Sequence, residues 1–188
     1  MATVAAIVLA AGTGGRIGCP KLFLKSGGKT FLELVINILE TAGLSDITVV
    51  VRGERQDEAV QIAGGHAVRV NQHPENGPLS SLRVGLDAAP GFDGYLVMPV
   101  DHPFVKAKTV RELVSAFAQT SDCVIKPSCQ GKAGHPVIVP IAAVGKIPRK
   151  DSEGGLARII KDSGAQVRVL ETGDGNILRN INQRTELE

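Results

Sequence analysis

Residues 9 to 21 read LAAGTGGRIGCPK, so an apolar run ends in a turn holding four glycines, Arg16 and Lys21. Glycines let backbone N–H groups come close to an anion, and two cations on one loop neutralise phosphate charge. Spacing decides which phosphate chemistry fits. A dinucleotide fingerprint G-x-G-x-x-G starting at Gly12 and Gly14 needs glycine at 17, where the chain has Ile17 and delays the next glycine to Gly18. The acidic ribose partner expected about 20 residues on is also missing, because 31 to 43 reads as a helix and the second strand ends near Arg52. A phosphate loop, G-x-x-x-x-G-K-[ST], is not met because no glycine of this loop is followed by lysine. What remains is a strand, a glycine turn, Arg16, and Lys21 after a proline, a set suited to holding a nucleotide across its phosphates. A glycine-rich turn with solvated cations is the alternative use of the same residues.

The elements that must position this loop are legible as alternation. Val- and Ile-rich runs at 3 to 9, 46 to 51, 66 to 70, 94 to 100, 122 to 126, 136 to 139 and 166 to 171 read as strands. Between the first two, apolar positions 31, 32, 35, 36, 38 and 39 follow a helical period. Thr30 and Glu33 form a capping box before them and Gly43 ends the helix. Thr109 and Glu112 predict the same device ahead of LVSAFAQ, and Ser80 predicts a cap for SLRVGLDAA. Strands apolar on both faces and joined by helices specify an α/β domain. Its sheet is mostly parallel and covered on both sides, and ligands bind beyond the carboxyl ends of the strands. The irregular stretches 71 to 80, 127 to 135 and 145 to 155 are expected to wall the site, and 1 to 188 reads as a single domain.

Bulk properties exclude other classes. The 188 residues, 43% hydrophobic and 21% charged with a net charge of +2, are enough for a buried core. The dispersed basic residues lack the one-sided stripe of a nucleic-acid binder, so a basic patch is expected to serve a small anion. No apolar run approaches the roughly 18 to 20 residues of a membrane helix, and no basic residue precedes VAAIVLAAG as a signal peptide requires. Three cysteines, Cys19, Cys123 and Cys129, without C-x-x-C spacing argue against zinc or a disulfide framework, so a cytoplasmic location is expected.

The loop also resembles the L-A-A-G-x-x-x-R-x-G-x-P-K signature of the molybdenum cofactor cytidylyltransferases. These are relatives of the guanylyltransferase that makes the guanine dinucleotide cofactor, a MobA-like group. NGPLSSLRVGL (76 to 86), MPVDHPFV (98 to 105), GHPVIV (134 to 139) and NINQRTEL (180 to 187) fall in the family's order, so the resemblance spans essentially the whole chain. It implies a three-layer, Rossmann-like nucleotidyltransferase domain. The implied reaction is Mg2+-dependent transfer of a nucleoside monophosphate, cytidine's for preference, to a phosphorylated acceptor such as molybdopterin, with release of pyrophosphate. Such chemistry needs positioning and charge neutralisation more than covalent help.

Carried over residue by residue, the nucleotide falls to Leu9, Ala10, Ala11, Gly12, Gly14, Gly15, Arg16, Lys21, Ser80 and Ser81. Lys21, Arg16 and Asp101 are the implied catalytic set. Asp101, closing the strand GYLVMPV, is the implied first metal ligand; Asn182 is the second, with Asn180 as fallback. His102 and His135 fall on the acceptor side. Each has a plainer use: a turn for Asp101, caps for Asn182, Ser80 and Ser81, and a structural role for His135.

The chain departs from the pattern in three places. The closing NINQRTEL lacks the family's Thr-Pro and has Asn at both ligand positions, His102 stands where the cytidylyltransferases usually carry Gln, and 145 to 165 keeps a G-D-x-G-A-R element only as Asp151 or Glu153 and Arg158. The opening Leu-Ala-Ala-Gly favours cytidine over guanosine. Other acceptors, a sugar 1-phosphate or a methylerythritol phosphate, stay open, as does a non-catalytic nucleotide-binding protein. A monomer or weak homo-oligomer is expected.

Overall fold

The computed structural model describes residues 2–12, 19–145 and 155–181, the side chain of Arg158 excepted. The chain opens with β1 (Val4–Leu9), and after the glycine loop comes a 3-10 turn, Lys21–Phe23. A small hairpin follows, β2 (Lys25–Ser26) and β3 (Lys29–Thr30). The chain's Gly-Lys-Thr, 28 to 30, lies in this hairpin, and Phe23 occupies the place where a phosphate loop would need its first glycine. Then come α1 (Phe31–Thr41), β4 (Ile47–Arg52), α2 (Gln56–Ile62), β5 (Ala67–Asn71), α3 (Pro78–Ala88), β6 (Gly94–Pro99) and α4 (Ala107–Gln119). The chain continues with β7 (Val124–Cys129), β8 (Lys132–Ala133), β9 (Val137–Pro140), α5 (Ile141–Val144), α6 (Gly155–Asp162) and β10 (Val167–Glu171).

The main sheet runs β10-β7-β9-β6-β1-β4-β5, with β8 attached to β7. Pairs β1·β4, β1·β6, β4·β5 and β7·β10 are parallel, whereas β9 runs against both β6 and β7. Because β9 reverses, β6 and β7 point the same way, and the carboxyl ends of β1, β6 and β7 share one edge.

Side chains alternate across the sheet as a pleat requires. Ala6, Val8, Val49, Val51, Leu96, Met98 and Ile125 pack with Phe31, Leu32, Leu113 and Phe117 on the α1 and α4 side. Ala5, Ile7, Val50, Val97, Val124, Val137 and Val139 pack with Leu79, Leu82, Leu86, Ile159 and Ile160 on the α3 and α6 side. Three layers result. Gly85 lets α3 lie on β1, since a Cβ there would strike the Ile7 side chain.

The Thr30–Glu33 capping box is present: the Glu33 backbone donates to the Thr30 hydroxyl and Glu33 Oε2 accepts from Thr30. The other two expected caps are corrected. α3 begins at Pro78 with Gly77 as its cap, so Ser80 lies inside the first turn; a proline suits a first turn whose N–H groups have no partner within the helix. α4 begins at Ala107, which puts Thr109 in the helix, where its buried hydroxyl donates to Asp174 instead of accepting from a backbone N–H as a cap would. That carboxylate also accepts from Lys106 N and so caps α4 from another part of the chain. The three cysteines are unpaired, and no helix among the described residues is long and apolar enough to cross a membrane.

Candidate active site

A cleft of about 690 Å³ opens at the shared carboxyl edge, over the face that carries Val97 and Val137. Its walls come from the ends of β1 and β6, the start of α3, the turn into β9 and the first turns of α6. The expected loops 71 to 80 and 127 to 135 both contribute to it.

Asp101 stands just past β6, where the strand's last amide pairing ends: Val100 N donates to Leu9 O and Ile181 N donates to Asp101 O. Its carboxylate is divided. Lys21 Nζ donates to Oδ2 at 2.7 Å, and His102 Nδ1 meets Oδ1 at 2.9 Å, which assigns the ring proton to Nδ1 because a carboxylate only accepts. Burial would raise the Asp101 pKa; the hydrogen bonds from His102 and Lys21 outweigh it and hold the carboxyl below its ordinary value, so it stays ionised. The two partners of the ion pair are 19% and 16% exposed. Each charge is therefore largely stripped of water and depends on the other.

Lys21 Nζ also donates to Asn180 Oδ1 at 3.2 Å. One ammonium thus sits between two hard oxygens from segments far apart in sequence. Asn180 reaches it because residues 174 to 181 are pinned along their length. Asp174, 1% exposed, is tied to α4; Ile177 O accepts from His135 N; Ile181 N reaches Asp101 O. Gly134 permits the middle contact, since a Cβ there would collide with the Ile177 carbonyl.

His102 is buried, and its ring meets that of His135 edge to face at 5.1 Å. Burial lowers the His135 pKa to about 4. Its Nδ1 is buried and has no hydrogen-bond partner among the described residues.

The residues singled out from sequence divide as follows. Leu9, Ala11, Gly12, Lys21, Ser81, Asp101, His102, His135 and Asn180 line the cleft. Ala10 is buried behind it, its N–H donated to Val50 O. Ser80 is turned away: its hydroxyl donates to Gly77 O and accepts from Asn71 Nδ2, which also donates to Ser81 Oγ. Gly14, Gly15, Arg16, Asp151, Glu153 and Asn182, and the side chain of Arg158, lie outside the described residues.

Four contributors have no counterpart in the sequence reading. Asn71, at the end of β5, organises both serines, and Lys126 projects from β7 into the cleft. Leu156 and Ile160 of α6 supply an apolar wall. Lys126 had a visible signal, a lysine inside a run that otherwise buries its side chains.

Comparison with known proteins gives the family and the fold. The chain is 28% identical over 126 residues to a probable molybdenum cofactor guanylyltransferase of Bacillus mycoides, covering 66% of this chain and 62% of that protein, so it spans about three-fifths of that relative's length. Among solved structures it superposes on Rv0371c of Mycobacterium tuberculosis H37Rv with a TM-score of 0.82 at 24% identity, covering 98% of this chain and 95% of that one. A manganese complex of Rv0371c matches with a TM-score of 0.74 at 24% identity, covering 90% and 88%. The molybdopterin-guanine dinucleotide biosynthesis protein A of Archaeoglobus fulgidus matches with a TM-score of 0.73 at 21% identity, covering 97% and 94%. These likenesses establish the fold, a mostly parallel sheet between helices shared with nucleotidyltransferases. The model of the MobA-like NTP transferase domain matches residues 6 to 169, and the chain belongs to that family.

Proposed function

We propose that the chain transfers the nucleoside monophosphate of a nucleoside triphosphate, CTP by preference, to the phosphate of a molybdopterin-type acceptor. An acceptor phosphate oxygen attacks the α-phosphorus, the bond to the β-phosphate oxygen breaks, and pyrophosphate leaves with that electron pair. The observation that carries the reading is the Lys21 ammonium held between Asp101 Oδ2 and Asn180 Oδ1 at the carboxyl edge of the sheet. A nucleophile that is already an anion needs no base, so the demands are alignment and charge neutralisation at the α-phosphate.

Lys21 meets the second demand: its ammonium stands at this edge and supplies positive charge against the negative charge that develops on the phosphates. Leu9, Ala11 and Gly12 border the nucleotide end. Gly14, Gly15 and Arg16 extend that end as the motif implies, and Ser81, its oxygen fixed by Asn71, faces the cleft as a polar edge for the base. Ser80 and Ala10 support the wall from behind. His102 keeps Asp101 oriented, and with His135 borders the acceptor side.

The donor set suits one hard cation. Two oxygens converge on the single point now taken by an ammonium, and among the described residues there is no His, Cys, Asp and Glu cluster of three that would suit a softer metal. Asp101 and Asn180, or Asn182 in place of Asn180, would hold Mg2+, which when bound adds positive charge to the phosphates.

CTP as donor rests on Leu-Ala-Ala-Gly at 9 to 12; the guanylyltransferase relative favours GTP as the second reading. The test is pyrophosphate release with molybdopterin and each triphosphate in Mg2+. CTP turnover exceeding GTP turnover supports the reading, reversed preference moves the base to guanine, and no turnover with any triphosphate refutes nucleotidyl transfer to molybdopterin.

A further inference from the structure

Strand register places a charge where an apolar side chain belongs. Val97 of β6 pairs with Val137 of β9, and Ile125 of β7 pairs with Ile138 of β9, so the next position along puts Lys126 in one row with Val137 and Val97. Residues in one row share a face, and all three line the cleft. The cleft floor is thus two valines and a half-buried lysine.

That lysine makes no ion pair or hydrogen bond with another described residue, in contrast to Lys21. Its neighbour His135 supplies no negative charge, and Ala133, Gly134, Gly155, Leu156 and Ala157 supply no side-chain acceptor. Burial lowers the Lys126 pKa, and the described residues bear the desolvation of this ammonium without returning a counter-charge. This ammonium, open toward the cleft and facing no negative side chain among the described residues, marks a place for a ligand's anionic oxygens.

The triphosphate does not account for it. Its loop follows β1, and the order β1-β6-β9-β7 puts Lys126 three strand spacings away, about 14 Å. We propose that Lys126 is a specificity-determining residue that binds an oxyanion of the acceptor, on the β7 side of the cleft and apart from the nucleotide's phosphates. The proposal rests on the two-substrate reading above, but does not require the acceptor to be molybdopterin.

Lys126→Met keeps the stem and removes the charge; Lys126→Arg keeps the charge. With the acceptor that the wild-type protein turns over, Lys126→Met raises the acceptor KM about 10- to 100-fold, the value of one charge-assisted hydrogen bond. The CTP KM stays within about 2-fold, and Lys126→Arg recovers part of the loss. A rise in the CTP KM by the same factor, or no rise in either, overturns the proposal.

A binding readout separates it from the proposed function. Lys126 of the wild-type protein is labelled by reductive methylation and followed by mass spectrometry, with CTP alone and then with molybdopterin, glucose 1-phosphate or methylerythritol phosphate. Protection by an acceptor but not by CTP supports the assignment; protection by CTP alone, or by none of the four, overturns it. If molybdopterin gives neither turnover nor protection while another acceptor gives both, the molybdopterin reading fails and Lys126 stands.

Discussion

Removing the Asp174 carboxylate is expected to loosen the active site from a distance. Its oxygens accept from Lys106 N at 2.9 Å, Thr109 Oγ1 at 2.8 Å, and Asn176 N and Nδ2 at 3.1 Å each. In Asp174→Ala the half-buried Asn176 groups turn to water, but the Thr109 hydroxyl, buried with its helix, and the Lys106 amide lose their acceptor. Two such groups at about 1–3 kcal/mol each give a loss near 4 kcal/mol. At about 2–4 °C per kcal/mol for a chain of this size, Tm falls by roughly 8–16 °C. Burial would raise the Asp174 pKa, but the donors at Lys106, Thr109 and Asn176 outweigh it and hold the value below the ordinary one. The group therefore contributes stability above its unfolded value of about 3.9 and loses that contribution as pH falls through the lower folded value. Thermal melts of both proteins from pH 8 to 3 check both points: the Tm gap is constant down to about pH 5 and closes below pH 4. A gap of about 2 °C or less at neutral pH, or one that widens in acid, refutes the account.

Asp101→Asn leaves the backbone contacts to Leu9 and Ile181 intact, so the protein still folds, with Tm lowered because Lys21 loses its counter-charge, and pyrophosphate release falls about 100- to 1000-fold. Gly134→Ala pushes the added methyl into the Ile177 carbonyl and displaces the segment bearing Asn180; steady-state assays are expected to show kcat/KM at least about 10-fold lower. His135, with its pKa near 4, is neutral from pH 5 to 8, so His135→Gln scales the pH profile of kcat/KM without changing its shape in that range.

The sheet is legible because its strands, the short β2, β3 and β8 excepted, are rich in Val, Ile or Leu and bounded by polar turns. The helices that the sequence does not announce are those whose pattern is weak. α2, QDEAVQI, buries only Ala59, and α6 follows a polar stretch that masks its Ile159 and Ile160. At Ser80 and Thr109 local spacing fits a cap, but a proline start and the distant carboxylate Asp174 decide the helix boundary. Asp101 and Lys21 could be singled out from their motifs, but their pairing across 80 residues is a property of the sheet order. Lys126 reads in sequence as a lysine on a strand; only register turns it into the polar member of an apolar row.

The oxygen that completes the Lys21 contact is 159 residues downstream of it. At ribosomal rates of about 5–20 residues per second, Lys21 precedes Asn180 by roughly 8–32 s. β1, β4, β5 and β6 can assemble in that interval, and Lys21 can find Asp101. The two-oxygen seat, however, does not exist until residues 174 to 181 have crossed the sheet edge. A nascent chain therefore passes through a state with a formed sheet and an incomplete site, and acquires the site last, in the step that also caps α4.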